Sequence, residues 1–335
     1  MKLGEGAKGI AYTVKCDSRD FETICEMLKK SKIKDIVFYE IKGKFRIRDP
    51  RLIQEFIEHL NTADIYAAKT FKKKLFINRA DVFKDEIRGI RNALTIFGHN
   101  SSKLTTFMPI HFFNREIIGL EANTNSGVFY AVFNERCMNT LENITMKPAD
   151  IEKMVEDMLK SFIILQEFHM AHTDVKPANI VVCSKNKYKL IDWEMMRDLK
   201  EHDYGIFKRA SASMMFSSPW SNFISGFPQF YASRFISDGV KRRMSAYYQS
   251  DQWQSFQNYT ESEFLKIIGW NKDKQYLYDK YANTIDLFSL ASSVNYLCWK
   301  NGVDVRPYWE WISICAGAHP PKNAREAYKL WRKLS

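Results

Sequence analysis

HTDVKPAN, at His172–Asn179, determines the fold class of this chain together with LIDWE, at Leu190–Glu194. Two short apolar segments, Ile180–Cys183 and Tyr188–Ile191, separate the motifs and predict a pair of strands joined by a turn at Lys185–Lys187. The polar residues of both motifs therefore flank one strand–turn–strand unit, from which they can reach a single ligand from two sides.

Four polar residues of these motifs are the types that phosphoryl transfer requires. Transfer to a hydroxyl needs a carboxylate at the incoming hydroxyl, cations on the phosphates and oxygen ligands for magnesium. We expect Asp174 to orient the hydroxyl and accept its proton, and Lys176 to neutralise the transferring phosphate. Asn179 and Asp192 are expected to hold Mg²⁺. Any one of them alone is easily a solvated loop residue, so it is the combined spacing that indicates this chemistry.

A glycine pattern, Gly4, Gly6 and Gly9, lies near the start of the chain. Taken alone it is a weak signal, because glycine triplets also occur in plain turns. Here the glycines fall between two predicted strands rather than between a strand and a helix. This position argues against a dinucleotide-binding turn and favours a hairpin laid over nucleotide phosphates.

Hydrophobic periodicity predicts a strand-rich part of about 135 residues followed by a helix-rich remainder. Besides the glycine hairpin, strands are predicted over Ile36–Ile41, Lys44–Arg48, Ile65–Phe71, Phe107–Phe112 and Val128–Phe133. Helices are predicted over 21–28, 52–60 and 82–94, and from Asp150 onward, where an apolar face includes Met154, Met158, Leu159, Phe162, Ile163 and Leu165.

With these motifs the sequence resembles the eukaryotic-type protein kinase family. The HRDxKPxN motif is matched by His172–Asn179, and the DFG position by Asp192–Glu194. Tyr66–Lys69 resembles the VAIK strand, and Ser218–Trp220 stands where APE closes the activation segment. Asp286–Ala291 matches the DxWSLG helix, whose aspartate anchors the catalytic loop in that family.

The resemblance implies an α+β, bilobal protein-kinase-like fold with a β-rich N-lobe and a mainly helical C-lobe. The N-lobe would span 1–135 and contain the glycine loop, an inserted subdomain at about 17–63, the Lys69 strand and the C-helix. The C-lobe would span 136–335 and contain the catalytic loop, the activation segment and a second insertion at about 221–285. Each insertion is either a docking surface or an embellishment, since loops tolerate added length at small cost.

The resemblance also implies a set of site residues. Catalytic roles fall to Asp174, Lys176, Lys69 and Glu86. Contacts to ATP fall to Gly4, Gly6, Gly9, Ala11, Ala67, Lys69, Asn134 and Glu135. The magnesium ligands are Asn179 and Asp192. In this scheme Lys69 binds the ATP phosphates, and Glu86, a carboxylate on the apolar stripe of the helix over 82–94, pairs with it.

Three departures from the family pattern have physical consequences. Thr173 replaces the usual arginine, so no guanidinium is present there to receive an activation-loop phosphate, and the site should assemble without one. Glu194 replaces the DFG glycine. Trp220 replaces the APE glutamate, while Pro321-Lys322 fills the place of its arginine partner, so both members of a buried ion pair are absent together.

The expected function is ATP- and Mg²⁺-dependent transfer of the γ-phosphate to Ser or Thr hydroxyls of a protein substrate. Lys176 resembles Ser/Thr kinases more than tyrosine kinases. One alternative is a small-molecule kinase of the aminoglycoside or choline phosphotransferase type. Those enzymes share the HxDxxxxN core and often carry the Ile-Asp-Trp-Glu sequence that this chain has at Ile191–Glu194. Lys176 and the Asp286–Ala291 helix argue against this alternative. Another is a pseudokinase scaffold, against which the complete set of catalytic residue types argues.

Composition sets the class of protein. Of the 335 residues, 45% are apolar, and this share excludes an intrinsically disordered chain. The 50 Lys and Arg residues against 39 Asp and Glu residues give a net charge of +11. The apolar runs are too short to cross a bilayer, and no signal peptide is expected. We therefore expect an intracellular protein, cytoplasmic or nuclear, in a host cell if it is encoded by a virus or an effector-secreting bacterium.

Cysteine spacing and basic clusters complete the expectations. The six cysteines are scattered without zinc-ligand spacing, so we expect reduced and mostly buried thiols. Lys44–Arg48 and Lys241–Arg243 are basic, which permits an accessory contact with nucleic acid or an acidic partner.

Overall fold

The computed structural model describes the backbone of seven strands within residues 2–135, and then residues 137, 139–183, 186–201, 216, 245–270 and 273–334. The chain divides into two compact units, the first formed by Met1–Asn139 with Cys183–Lys185 and the second by Thr140–Val182 with Asn186–Ser335. Of the helices within these described ranges, none combines the length and apolarity that a membrane span requires.

Antiparallel strands make up most of the described part of the first unit. Its strands are β1 (Lys2–Glu5), β2 (Gly9–Val14), β3 (Ile36–Tyr39), β4 (Lys44–Ile47), β5 (Tyr66–Phe71), β6 (Gly119–Thr124) and β7 (Gly127–Glu135). Five of them pair in the order β1-β2-β5-β7-β6, and β3 and β4 form a separate hairpin. The predicted strands at these positions are confirmed, including the two strands on either side of the glycine turn.

One strand of this sheet was not expected, and several predicted elements lie outside the described residues. The sequence of β6, Gly119–Thr124, contains glycine, asparagine and alanine, which are depleted in strands, and so gives little strand signal. The residues not described include Gly6, Glu86, the segments 107–112 and 218–220, and the helices predicted over 21–28, 52–60 and 82–94.

The second unit is mostly helical with a few small antiparallel strand pairs, as the sequence predicts. Its helices are α1 (Pro148–Glu167), α2 (Asp251–Trp270), α3 (Lys274–Tyr281), α4 (Ile285–Asn301), α5 (Arg306–Ala316) and α6 (Ala324–Leu334). Its strands are β8 (Met170–Ala171), β9 (Ile180–Cys183), β10 (Lys187–Leu190) and β11 (Arg197–Asp198), paired as β8 with β11 and β9 with β10.

Helix α4 lies at the centre of the second unit. Every residue from Ile285 to Cys298 is buried, and the helix contacts α1, α2 and α5. The buried hydroxyls of Ser289 and Ser293 donate to carbonyls one turn earlier in the same helix, which satisfies them without an outside partner. The helix ends at Gly302, whose φ of 64° is the left-handed conformation that glycine adopts at helix ends without steric cost.

Helix α1 packs its predicted apolar face into the same core. It begins with Pro148 at its first position, and the Asp150 carboxylate accepts from the Lys147 backbone N–H at 2.9 Å. The predicted face is buried except for Ile163, which is half-buried. The periodicity of this segment therefore fixes both the helix and its orientation.

Much of the second insertion belongs to the hydrophobic core. Helix α2 buries Trp253, Phe256, Phe264 and Ile267. The Gln252 side chain also donates to the backbone carbonyl of Asn295 in α4 at 2.6 Å. Helix α2 of this insertion therefore packs against α4 as part of the core of the second unit.

The expectation that all cysteines are reduced is wrong for two of them. Cys137 and Cys183 form a disulfide across a separation of 46 residues. The cause is not local in sequence: an antiparallel bridge between Thr140 and Val181 brings the chain after β7 alongside β9, so the two Cα atoms lie 4.1 Å apart. The other described cysteines, Cys298 and Cys315, are free and buried as expected, and Cys16 and Cys25 lie outside the described residues.

Replacing Cys137 with serine should destabilise the oxidised protein. Opening a cross-link between residues 46 apart is expected to lower the free energy of unfolding by about 4 kcal/mol, because the unfolded chain regains conformational entropy. Denaturant unfolding with and without dithiothreitol measures this loss. The reductant should shift the midpoint of the wild type and leave that of Cys137→Ser unchanged; a wild-type midpoint that ignores the reductant would contradict the prediction.

Candidate active site

Two chain segments run side by side at the candidate site. Strand β8 leads into the loop that begins at His172, and β11 follows the turn that begins after Asp192. The strands pair through Ala171 with Arg197 and Met170 with Asp198. The backbone N–H of Leu199 also donates to the carbonyl of His169 at 2.7 Å. This pairing holds the loop of the first motif against the segment of the second.

Asp286, near the start of α4, anchors the loop from the core. Its carboxylate accepts from the backbone N–H of His172 at 2.7 Å and from that of Thr173 at 2.8 Å. Burial raises the pKa of this carboxyl above its ordinary value, although the two N–H donors favour the charged form. The anchoring role that the sequence predicts for Asp286 is confirmed by these two bonds.

The His172 ring connects the loop to the end of β10. Its Nδ1 accepts from the Asp174 backbone N–H at 3.3 Å, and its Nε2 lies 3.1 Å from the carbonyl oxygen of Ile191. Since an amide donates to one nitrogen and a carbonyl accepts from the other, the ring is neutral with its proton on Nε2. Burial lowers the pKa of His172, which favours the same state. Trp193 packs edge-on against the ring at 4.7 Å between centroids.

The carboxylate of Asp174 is bonded to two other polar residues of its motif, Lys176 and Asn179. The Lys176 ammonium lies 2.7 Å from Asp174 Oδ2. The Asn179 amide Nδ2 donates to the same oxygen and to the Asp174 carbonyl, both at 2.9 Å. The structure thus brings Asp174, Lys176 and Asn179 together in one hydrogen-bonded group, and charge-assisted bonds of this kind fix a carboxylate strongly.

Asn179 and Asp192 lie at the same end of the β9–β10 hairpin. The Asn179 carbonyl accepts from the backbone N–H of Ile191, the residue before Asp192, at 2.9 Å. Asp192 has a φ of 70° and a ψ of 61°, a left-handed conformation that aspartate tolerates better than most residues. It precedes a short 3₁₀ turn over Trp193–Met195.

The residues at this end of the hairpin fit a magnesium ion. Because the Asn179 amide nitrogen is directed at Asp174, its Oδ1 is the atom that can bind a cation, and Asp192 offers a carboxylate. Mg²⁺ takes one or two such protein oxygens and completes its shell with water and phosphate oxygens. Within the described ranges no group of three or more His, Cys, Asp or Glu side chains forms a metal cluster.

Thr173 makes a contact that the sequence did not predict. Its hydroxyl donates to the carbonyl oxygen of Met195 at 2.5 Å, and its φ is 62°. The sequence identified Thr173 only through the arginine that it replaces. No local pattern reveals this bond, because its two residues are separated by the whole β9–β10 hairpin.

The remaining predicted site residues belong to the first unit, where the structure gives their strand positions. Gly4 lies in β1, Gly9 and Ala11 in β2, Ala67 and Lys69 in β5, and Asn134 and Glu135 in β7. In the sheet, Lys69 is opposite Ala11 on one side and Val132 on the other, and Ala67 is opposite Asn134. Gly6 and Glu86 lie outside the described residues. The ATP-binding roles of all these residues stay predictions.

Two comparisons with known proteins gave no match to this chain. No protein-family model matches the chain, and no curated protein matches it either. The inference of function therefore rests on the residues of the site and on their geometry.

Proposed function

We propose that this protein is an ATP- and Mg²⁺-dependent protein kinase that phosphorylates Ser or Thr hydroxyls, built on a bilobal, protein-kinase-like fold. The observation that carries the proposal is the group formed by Asp174, Lys176 and Asn179, on a loop tied to the core by Asp286. A carboxylate, an ammonium and an amide oxygen, fixed beside the segment that carries Asp192, are what in-line transfer to a hydroxyl requires.

In the proposed reaction the acceptor hydroxyl oxygen attacks the γ-phosphorus while the bond to the β–γ bridging oxygen breaks. Asp174 orients the hydroxyl and receives its proton, and the bridging oxygen leaves with ADP. The Lys176 ammonium, 2.7 Å from Asp174, neutralises charge on the transferring phosphate. A Mg²⁺ ion bound by Asn179 Oδ1 and Asp192 would supply charge neutralisation on the phosphate oxygens.

The first unit would bind the nucleotide. Lys69, paired with Glu86, would hold the ATP phosphates beneath the turn of Gly4, Gly6 and Gly9. Ala11 and Ala67 would line the adenine, and backbone groups near Asn134 and Glu135 would bond to it. The partner is then a protein that presents a Ser or Thr to Asp174, with an accessory nucleic-acid or acidic contact through Lys44–Arg48 and Lys241–Arg243.

Incubation with Mg²⁺, γ-labelled ATP and basic and acidic acceptor proteins tests the proposal. We expect label on Ser or Thr, and a fall of about 10²-fold or more in Lys69→Met, because a cation on the phosphates is lost. Lys329→Met is the matched control, since Lys329 is exposed on α6, and it should transfer at the wild-type rate.

Three results would contradict parts of this proposal. Normal transfer by Lys69→Met would mean that another residue binds the phosphates. Label on an added aminoglycoside or choline, with none on protein, would establish the small-molecule alternative. An increase in melting temperature with ATP, without transfer to any acceptor, would indicate a nucleotide-binding scaffold.

A further inference from the structure

We propose that Thr173 is a positioning residue whose hydroxyl ties the proposed catalytic loop to the segment that carries the proposed metal ligand. This inference rests on the proposed function. Thr173 directly precedes Asp174, and its hydroxyl donates to Met195 O at 2.5 Å. Met195 ends the 3₁₀ turn that begins after Asp192. One hydrogen bond therefore spans from beside the proposed base to the turn of the proposed metal ligand.

The backbone of Thr173 has an unusual conformation at this contact. A φ of 62° is uncommon outside glycine and a clear outlier for a β-branched residue. Residues with a strained backbone persist where several surrounding contacts hold them in place, and they cluster at functional sites. Here the Thr173 N–H is bonded to Asp286 and its hydroxyl to Met195, so backbone and side chain are both fixed.

The effect of the hydroxyl reaches Asp192 through the turn. Met195 is buried and Thr173 is half-buried, so without the Thr173 hydroxyl the Met195 carbonyl would lose this side-chain partner at a part-buried place. The turn would relieve that loss by moving. Farther along the segment, the β8–β11 pairs and the bond from the Tyr278 hydroxyl to Leu199 O would still hold. The movement would therefore concentrate on the turn and on Asp192, which precedes it.

Two variants separate the hydroxyl from the shape of the side chain. Thr173→Val keeps the branched shape and removes the donor, while Thr173→Ser keeps the donor. Groups that hold a metal ligand in place typically contribute 10–100-fold to metal affinity. We expect Thr173→Val to raise the Mg²⁺ concentration for half-maximal transfer about 10-fold or more. Its KM for the protein acceptor should stay near the wild-type value, and Thr173→Ser should restore the Mg²⁺ dependence.

Amide hydrogen exchange of the nucleotide-free protein provides a readout that needs no activity. In Thr173→Val the Met196 amide, which donates to Trp193 O within the turn, should exchange faster, while amides of α4 should be unchanged. Equal Mg²⁺ dependence in Thr173→Val and wild type would overturn the inference, as would a serine variant as impaired as the valine variant. Absence of transfer in the wild type would overturn the proposed function instead, and the exchange rate of Met196 would then still support or overturn the role of Thr173 in holding the turn.

Discussion

Asp174→Ala should slow phosphate transfer by about 10²–10⁴-fold, the usual contribution of a positioned general base. The carboxylate is the group proposed to take the hydroxyl proton, and Lys176 and Asn179 both bond to it. Its removal leaves the acceptor hydroxyl without its orienting group. Binding of ATP should be nearly intact, because the nucleotide contacts are proposed to come from the first unit. Rates of labelled phosphate transfer and calorimetric titration with Mg–ATP measure the two quantities separately.

Asp304→Ala provides the control for the loss of one carboxylate. Asp304 is exposed and pairs with the neighbouring exposed Arg306, so its removal should leave transfer at the wild-type rate. If Asp174→Ala transferred phosphate as fast as Asp304→Ala, the proposed base would have to be another residue. A loss of ATP binding as large as the loss of rate would instead place Asp174 in nucleotide binding.

Asp286→Ala should destabilise the protein strongly and abolish activity with it. The buried backbone N–H of His172 and the part-buried N–H of Thr173 would lose their acceptor. An unsatisfied buried donor costs about 1–3 kcal/mol and a part-buried one less, so the expected loss is roughly 2–4 kcal/mol, against a total stability of about 5–15 kcal/mol for a typical domain. Denaturant unfolding monitored by tryptophan fluorescence measures the change.

Ser289→Ala, in the same buried helix, is the matched control. Its hydroxyl donates to the Ile285 carbonyl of its own helix, so its removal should change stability by about 1 kcal/mol or less. Comparable losses in the two variants would mean that burial in α4, and not the anchoring of the loop, determines the cost of replacing Asp286.

Sequence predicted those parts of the site that depend on neighbours along the chain. The β9–β10 hairpin follows from two apolar runs around a polar turn, and it sets Asn179 beside Ile191 and therefore near Asp192. The apolar face of α1 follows from helical periodicity. The anchoring role of Asp286 was predicted because its helix resembles the DxWSLG helix, and its contacts with His172 and Thr173 agree with that role.

The features that the sequence did not predict are contacts between distant segments. Neither the Cys137–Cys183 disulfide nor the bond from Thr173 to Met195 leaves a local pattern, since each depends on how folded strands are placed. The burial of α2 in the core was open for a similar reason. The apolar face of α2 does not reveal from sequence which element it packs against, and the structure places α2 in contact with α4.

The burial of every α4 residue from Ile285 to Cys298 limits which substitutions this chain can tolerate. An ordinary surface helix has an outer side on which a charge remains hydrated, so its tolerance of charged residues rises and falls with the helical turn. From Ile285 to Cys298 no such side exists, and the one carboxylate there, Asp286, accepts two backbone N–H donors. Charged replacements should therefore destabilise the protein at every position of this segment, and their effect should not repeat with the helical turn. Mutational tolerance measured along the chain would show one continuous run of intolerant positions.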